Sequence, residues 1–395
     1  MKTVDPQLSA LNRWQWTALI VGAACALLAV VSGLLGGLSQ FFQAYLVAFL
    51  FWIGLSLGSL AILMLHFVGG GRWASLIRRI LEAATKTIWL MAILFIPLLF
   101  GTGYLYPWTD PAQIAADAVL KYKSAFLNMP LFVVVSVVIF AIWFLLVFLL
   151  ARWSKQEEAG DLRARVRENR LSAPGLILFF LTVTAAAFYW IMSIFPTWSS
   201  SVFGLLIAMS QVLASMGFAL FVLPGMPGFR PSEVDARGML PKLFRDLGAL
   251  ELTFVVLWAY LSFFQLLIIW AGNIPHEVDW YVTRTQGGWM VVGMLLALVQ
   301  VALPFLALIP MRVRSNPSLL RLIGLVLLVI NWVNYFWIVI PEYYPAFHLS
   351  LSDILLPMAI GGLWLGLFFN RLKSRPLQAF WDMPMETEQA PEVRP

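Results

Sequence analysis

One cysteine and three histidines in 395 residues leave this chain almost without soft metal ligands. Cys25 lies inside an apolar stretch. That excludes a disulfide framework, a thiolate zinc site and an iron–sulfur cluster held by this chain alone. His66, His276 and His348 all fall near the ends of apolar runs or between them, so the paired mid-membrane axial ligands of a two-haem cytochrome b are missing. Charge is equally scarce. Asp, Glu, Lys and Arg make up 12% of the residues, about half the share in soluble domains. Hydrophobic residues fill 61% and mean hydropathy is +0.85, which excludes a soluble globular chain and defines a polytopic membrane protein. The basic residues sit in short stretches between apolar runs, so nucleic-acid binding is excluded as well. The Gly69-Gly70-Gly71 run lacks the Lys-Ser/Thr pair of a phosphate loop.

What is abundant is apolar sequence in runs of membrane length. About 20 apolar residues cross a hydrocarbon core of about 30 Å. Ten runs meet that requirement, at 15–36, 41–66, 86–106, 129–153, 172–195, 199–223, 247–273, 287–310, 318–341 and 349–371. They lack the alternation of a barrel, and open strands would leave backbone groups unpaired in lipid, so helix is the expected form. The first run has no small-residue cleavage site and reads as a retained helix. Aromatic residues punctuate the edges: Trp14 and Trp16, Tyr104, Tyr106 and Trp108, Trp153, Trp280 and Tyr281, Tyr343 and Tyr344. Such rings favour the headgroup level. Ten spans put both termini on one side, and on that side lie 23 of the 26 basic residues; Lys121, Lys123 and Arg284 are opposite. Positive charge is retained on the side of insertion, so both termini are expected to be cytoplasmic. The chain then divides into a cytoplasmic N-terminus (1–14), a ten-helix membrane domain (15–371) and a polar tail (372–395). Segment 154–171 reads as a solvated cytoplasmic helix or linker, and 224–246 as a Pro/Gly-rich crossover. Spans 2–5 and 6–9 are long enough to form two similar four-helix groups. The Gly33…Gly37, Gly54…Gly58 and Gly362…Gly366 spacings are close-packing signals between helices.

Ionisable residues beside lipid are costly, so they are the functional candidates. On the cytoplasmic side, Glu82 and Lys86 form an i, i+4 pair facing into span 3, and Glu251 lies about a turn into span 7. On the outer side His348 and Asp353 open span 10. Gln211, Tyr260, Gln265, Gln300, Asn331 and Asn334 lie between these layers. Burial raises a carboxylate's pKa towards neutrality, and imidazole titrates near pH 6.5, so acids and a histidine joined by amides or water can pass protons. The expected arrangement is a cytoplasmic half-channel of Glu82, Lys86 and Glu251 and an outer one of His348 and Asp353. The plainer reading of the same residues is a local Glu82–Lys86 ion pair and an Asp353 helix cap.

One stretch carries a resemblance: Asp246-Leu-Gly, Phe254…Trp258-Ala-Tyr260…Phe263-Phe-Gln265, and Ile269-Trp270…Asn273-Ile-Pro275…Glu277…Trp280-Tyr281. It resembles the ActF-type integral subunit of bacterial alternative complex III, a quinol:electron-acceptor oxidoreductase. The segment from His66 through Trp73, Arg79 and Glu82 to Tyr106-Pro-Trp108 is similar, as are Trp190…Ser193…Pro196…Trp198 and His348…Asp353…Gly361-Gly362. The family commonly has Asp and Glu where this chain has Tyr189 and Phe195, so no proton role carries over to those two positions. The resemblance implies two four-helix bundles plus two peripheral helices in an inner membrane, beside a homologous larger subunit. It implies quinol (menaquinol), haem c and iron–sulfur clusters in partner subunits, with this chain as scaffold and proton conduit.

Two other functions compete. A secondary transporter would use broken helices at mid-membrane, for which Pro97 and Pro304 are candidates, although no charged residue accompanies them. A quinone site in this chain would draw on His66, Tyr260 or Gln265 to bond the ring oxygens. The charge split makes the orientation testable. A cysteine introduced at Ser124 should react with an impermeant thiol reagent in intact cells, after permeabilisation of any outer membrane. Arg167→Cys should react only once the inner membrane is opened, and the reverse pattern overturns the orientation.

Overall fold

The computed structural model describes residues 6–227, 229 and 240–374, which form helices joined by short turns, with no strand among them. Lys2, Arg230, Arg237, Arg375 and Arg394, most of the Pro/Gly-rich crossover and nearly all of the polar tail lie outside the described residues. Among the described residues ten helices are long and apolar enough to cross a membrane. They are α1 (Gln7–Gly36), α2 (Leu38–Gly69), α3 (Arg78–Phe100), α4 (Met129–Glu158) and α5 (Arg163–Ile194), followed by α6 (Phe203–Gly225), α7 (Leu240–Gly272), α8 (Trp289–Leu308), α9 (Pro317–Glu342) and α10 (Leu351–Lys373). The chain is a multi-pass membrane protein.

Burial is very uneven along the ten. The apolar window of α2 is 100% buried and that of α6 83%, against 22% for α1 and for α8. The two buried helices lie against each other at the centre. Around α2, contacts run from α2 to α3, α3 to α4, α4 to α5, and α5 back to α2; around α6 they run through α7, α8 and α9 in the same way. α10 packs on α2, and α1 lies along α10.

Small residues make these crossings close, because lipid offers no hydrophobic drive and association depends on contact and hydrogen bonds. A Cβ on Gly58 would sit 2.0 Å from the Gln211 carbonyl oxygen, and Ser215 Oγ donates to the Leu55 carbonyl at 2.9 Å. At the α6–α9 crossing a Cβ on Gly324 would sit 2.4 Å from the Gly217 oxygen, and Gly362 meets Gly22 of α1 in the same manner. Gly33 faces Phe41 and Gly37 has φ 111, so that third glycine pair shapes the α1–α2 corner instead of a crossing. Four buried indoles spend their one donor on a hydroxyl of a neighbouring helix. Trp364 donates to Ser56, Trp258 to Ser210, Trp190 to Ser136 and Trp143 to Thr182.

Several elements depart from the sequence expectation. α3 starts at Arg78, and a turn at Lys86–Thr87 interrupts it. Segment 154–171 is no separate linker: α4 continues to Glu158, Gly160 turns the chain at φ 93, and α5 follows. Ion pairs to Arg78 and Arg79 hold these extensions. Trp14 and Trp16 are exposed as expected of headgroup anchors, but Tyr106, Trp108 and Trp280 are buried. The Tyr106 hydroxyl donates to the Trp190 carbonyl, and Trp280 stacks on Trp198. After α7, Asn273 takes φ 46, a left-handed conformation that asparagine tolerates, and Pro275 then opens a short helix, Pro275–Thr283.

Gly58→Ala should lower the stability of the folded chain by about 1–3 kcal/mol, because the clash is with backbone. Thermal unfolding in detergent reads the effect. Gly103→Ala, with nothing within 4 Å of the added methyl, is the control and should be neutral or better.

Candidate functional site

Glu251, Trp258 and Gln265 recur every seven residues on α7, so they share one face at steps of about 10 Å. That face looks into the α6–α9 ring, and all three residues are buried, Glu251 completely. Its carboxylate reaches the Gly217–Gly324 crossing, with Oε1 3.5 Å from where a Cβ on Gly217 would stand. The two glycines make the space the carboxylate fills. Both of its oxygens lack a hydrogen-bond partner.

One heptad further along α7 the helices converge on Ser210 of α6. Trp258 Nε1 donates to Ser210 Oγ at 2.7 Å, Asn334 Nδ2 to the same oxygen at 3.4 Å, and Asn331 Nδ2 to the Ser210 carbonyl at 3.1 Å. The fourth helix, α8, brings Gln300, which is fully buried with both amide atoms unpartnered. Gln300 belongs to a π-helical segment, Ala297–Ala302, which touches α7 and α9. The cause lies four residues on: Pro304 has no N–H to give the Gln300 carbonyl, and its ring crowds that oxygen. A second heptad along α7, Gln265 accepts from Ser200 Oγ at 3.4 Å and donates to the Tyr281 hydroxyl at 3.3 Å.

Above this layer sits Arg284, 1% exposed. Its guanidinium donates to the carbonyls of Trp280, Trp337 and Ile338 and lies 3.6 Å from the Trp280 ring centroid. Burial pushes the guanidinium down to about 9, which leaves it charged at neutral pH. It closes the C-terminal end of α9, whose last carbonyls have no helical donor. Burial also pushes the Tyr281 phenol up to about 12, so that hydroxyl keeps its proton.

A second polar centre occupies the N-terminal ends of α3 and α5 and the C-terminal end of α4. Arg78 bonds Glu82 at 2.9 Å, Glu157 at 2.6 Å and Glu168 at 3.5 Å. Arg79 bonds Glu82 at 3.3 Å and also Glu158. Ser154 Oγ adds a bond to Glu82 at 2.8 Å. A cavity the size of about one water adjoins this cluster, lined by Glu82, Thr85, Lys86 and Ser154 on its polar side. Among the described residues no group of three or more His, Cys, Asp or Glu side chains is placed to hold a metal ion.

The chain matches no protein-family model and no curated protein. The residues themselves carry the functional reading.

Measured against the sequence expectation, Glu251 is the candidate the fold singles out. Glu82 and Glu251 do not form one cytoplasmic half-channel: Glu82 is bonded to Arg78, Arg79 and Ser154 in the α2–α5 ring, and Glu251 points into the α6–α9 ring. Lys86 stands at the α3 break and lines the water-sized cavity. Asp353 takes the plainer role. It accepts from the Ser350 backbone at 2.8 Å and from Ser350 Oγ at 2.6 Å, a capping box at the start of α10. His348 stacks on Tyr344 and bonds Gln40, which ties α10 to the start of α2. His66, Tyr260 and Gln265 do not converge on a quinone. His66 sits against Trp73 at the C-terminal end of α2, and Tyr260 is 57% exposed, away from buried Gln265. Glu168 was not legible as a site residue, because segment 154–171 reads as solvent-facing; in the fold it is completely buried. The available signal was its matching charge, Arg78.

Arg78→Met should destabilise the protein by about 3–5 kcal/mol, since it leaves buried carboxylates uncompensated. The double variant Arg78→Met, Glu82→Gln should recover part of that loss. Thermal unfolding of the three proteins checks both statements.

Proposed function

We propose that this chain is a non-redox membrane subunit of a quinol-oxidising electron-transfer complex of the alternative complex III type, in a bacterial inner membrane, and that it carries protons through the α6–α9 ring. Two closed rings of four helices, α2–α5 and α6–α9, with α1 and α10 alongside, support the reading of two four-helix bundles plus two peripheral helices. The Trp270…Asn273-Ile-Pro275 corner and the 23-to-3 charge split support the family resemblance and cytoplasmic termini. Menaquinol, haem c and iron–sulfur clusters belong, in this reading, to partner subunits that include a larger homologue. The observation that carries the proton role is Glu251, an acid with no exposed surface and no hydrogen-bond partner. An ionisable group so placed is costly, and a transported proton is the cheapest ligand that justifies it.

A secondary transporter is the competing reading, and the α8 π segment ahead of Pro304 is the observation in its favour. Purification in mild detergent separates the two. Co-elution with haem c and iron–sulfur subunits supports the complex, and a chain that purifies alone supports the transporter. Within the assembled complex in sealed vesicles, Glu251→Gln should reduce proton release per quinol oxidised, while Asp353→Asn should leave it unchanged. Unaltered release in Glu251→Gln would reject the conduit and leave a scaffold.

A further inference from the structure

The α6–α9 ring holds three fully buried side chains from three helices whose polar atoms go unmet: both oxygens of Glu251, both amide atoms of Gln300 and Oδ1 of Asn331. Each unmet group in an apolar interior costs about 1–3 kcal/mol, and a carboxylate more. Glu251 and Gln300 have every polar side-chain atom unmet, which concentrates that cost on two residues of this ring. They are also aligned. Glu251 and Trp258 are one heptad apart on α7, and Gly324 and Asn331 one heptad apart on α9. The Gly217–Gly324 contact and the Ser210 bonds fix these pairs at matching depths. On α8, Gly293 abuts Trp337, which sets Gln300, seven residues inward, level with Asn331. Gln300 is the buried residue of the π segment. The extra residue of that segment loosens the backbone ladder at this depth.

We propose that this interior is a water-binding site, in which a short file of ordered water links the Glu251 carboxyl to the amides of Asn331 and Gln300, with Glu251 as its one acid. Water is the species the chemistry selects. The unmet groups include donors and acceptors, and one molecule that both donates and accepts satisfies all of them. The step from Glu251 to the Ser210 layer is about 10 Å, a span of two or three hydrogen-bonded waters. The next step outward leads to Gln265 and Tyr281, whose bond faces the same ring. The file therefore runs towards the 275–283 helix and away from Asp353, which is occupied with its cap. This inference deepens the proton reading of Glu251, yet it concerns hydration and holds whether or not protons traverse the chain.

Radiolytic footprinting of the full chain in lipid nanodiscs, in oxygen-18 water, tests it without any substitution. Hydroxyl radicals made from ordered water label adjacent buried side chains with the heavy isotope. Trp258 lines the proposed file, whereas Trp143, also buried (0% exposed against 6%) and bonded to Thr182, lies in the α2–α5 ring. Trp258 should take up label at least about tenfold faster than Trp143. Gln300→Leu, confirmed as folded by its melting curve, should lower the Trp258 rate towards that of Trp143. Equal, slow labelling of both indoles in the unmodified chain overturns the proposal. Fast labelling of Trp258 together with unchanged proton release in Glu251→Gln keeps the water site and rejects the conduit.

Discussion

The approach of α2 to α6 at Gly58 and Gln211 is the contact on which the other helix positions depend. Backbone meets backbone there, with the Ser215 bond to the Leu55 carbonyl beside it. Because both helices are enclosed, each gathers its own ring of partners, and the remaining eight spans are placed by what α2 and α6 leave uncovered. Any residue larger than glycine at position 58 moves the two rings apart. In a bilayer the compensation for such a shift is small, since lipid packs against a helix nearly as well as protein does.

The same enclosure explains how polar groups are spent. Most buried donors are matched locally: indoles on serine or threonine, Arg284 on helix-terminal carbonyls, Asp353 on Ser350. Charges cluster where the helices emerge, with Arg78 and Arg79 neutralising carboxylates from three helices. Against that economy, Glu251 and Gln300 each leave two buried polar atoms unmet. Their neighbours are glycines and a π segment, features that hold space and backbone freedom open at a cost to packing.

How much of this was legible in the sequence depends on the kind of signal. Span number followed from apolar length, and the one-sided placement of the basic residues is likewise a one-dimensional property. The Gly54…Gly58 and Gly362…Gly366 pairs were readable as close-packing sites, though not which helix each would meet. Glu251 was visible as a charge within an apolar run. The roles of Asp353 and Glu82 were not separable from it, because all three look alike as acids near span ends. Only capping by Ser350 and pairing with Arg78 distinguish them.

What the sequence by itself determined is the class of the molecule: ten helical crossings and the runs in which ionisable groups are expensive. Those follow from hydrophobic length and charge, which need no partner. What only the tertiary structure decided is which polar groups are satisfied. Heptad spacing put Glu251, Trp258 and Gln265 on one face, but their fates differ, as acid without partner, donor to Ser210 and amide bonded to Tyr281. Satisfaction is a property of pairs brought together across helices, and the depth at which α6, α8 and α9 cross α7 is set by glycines and a π turn on those other helices.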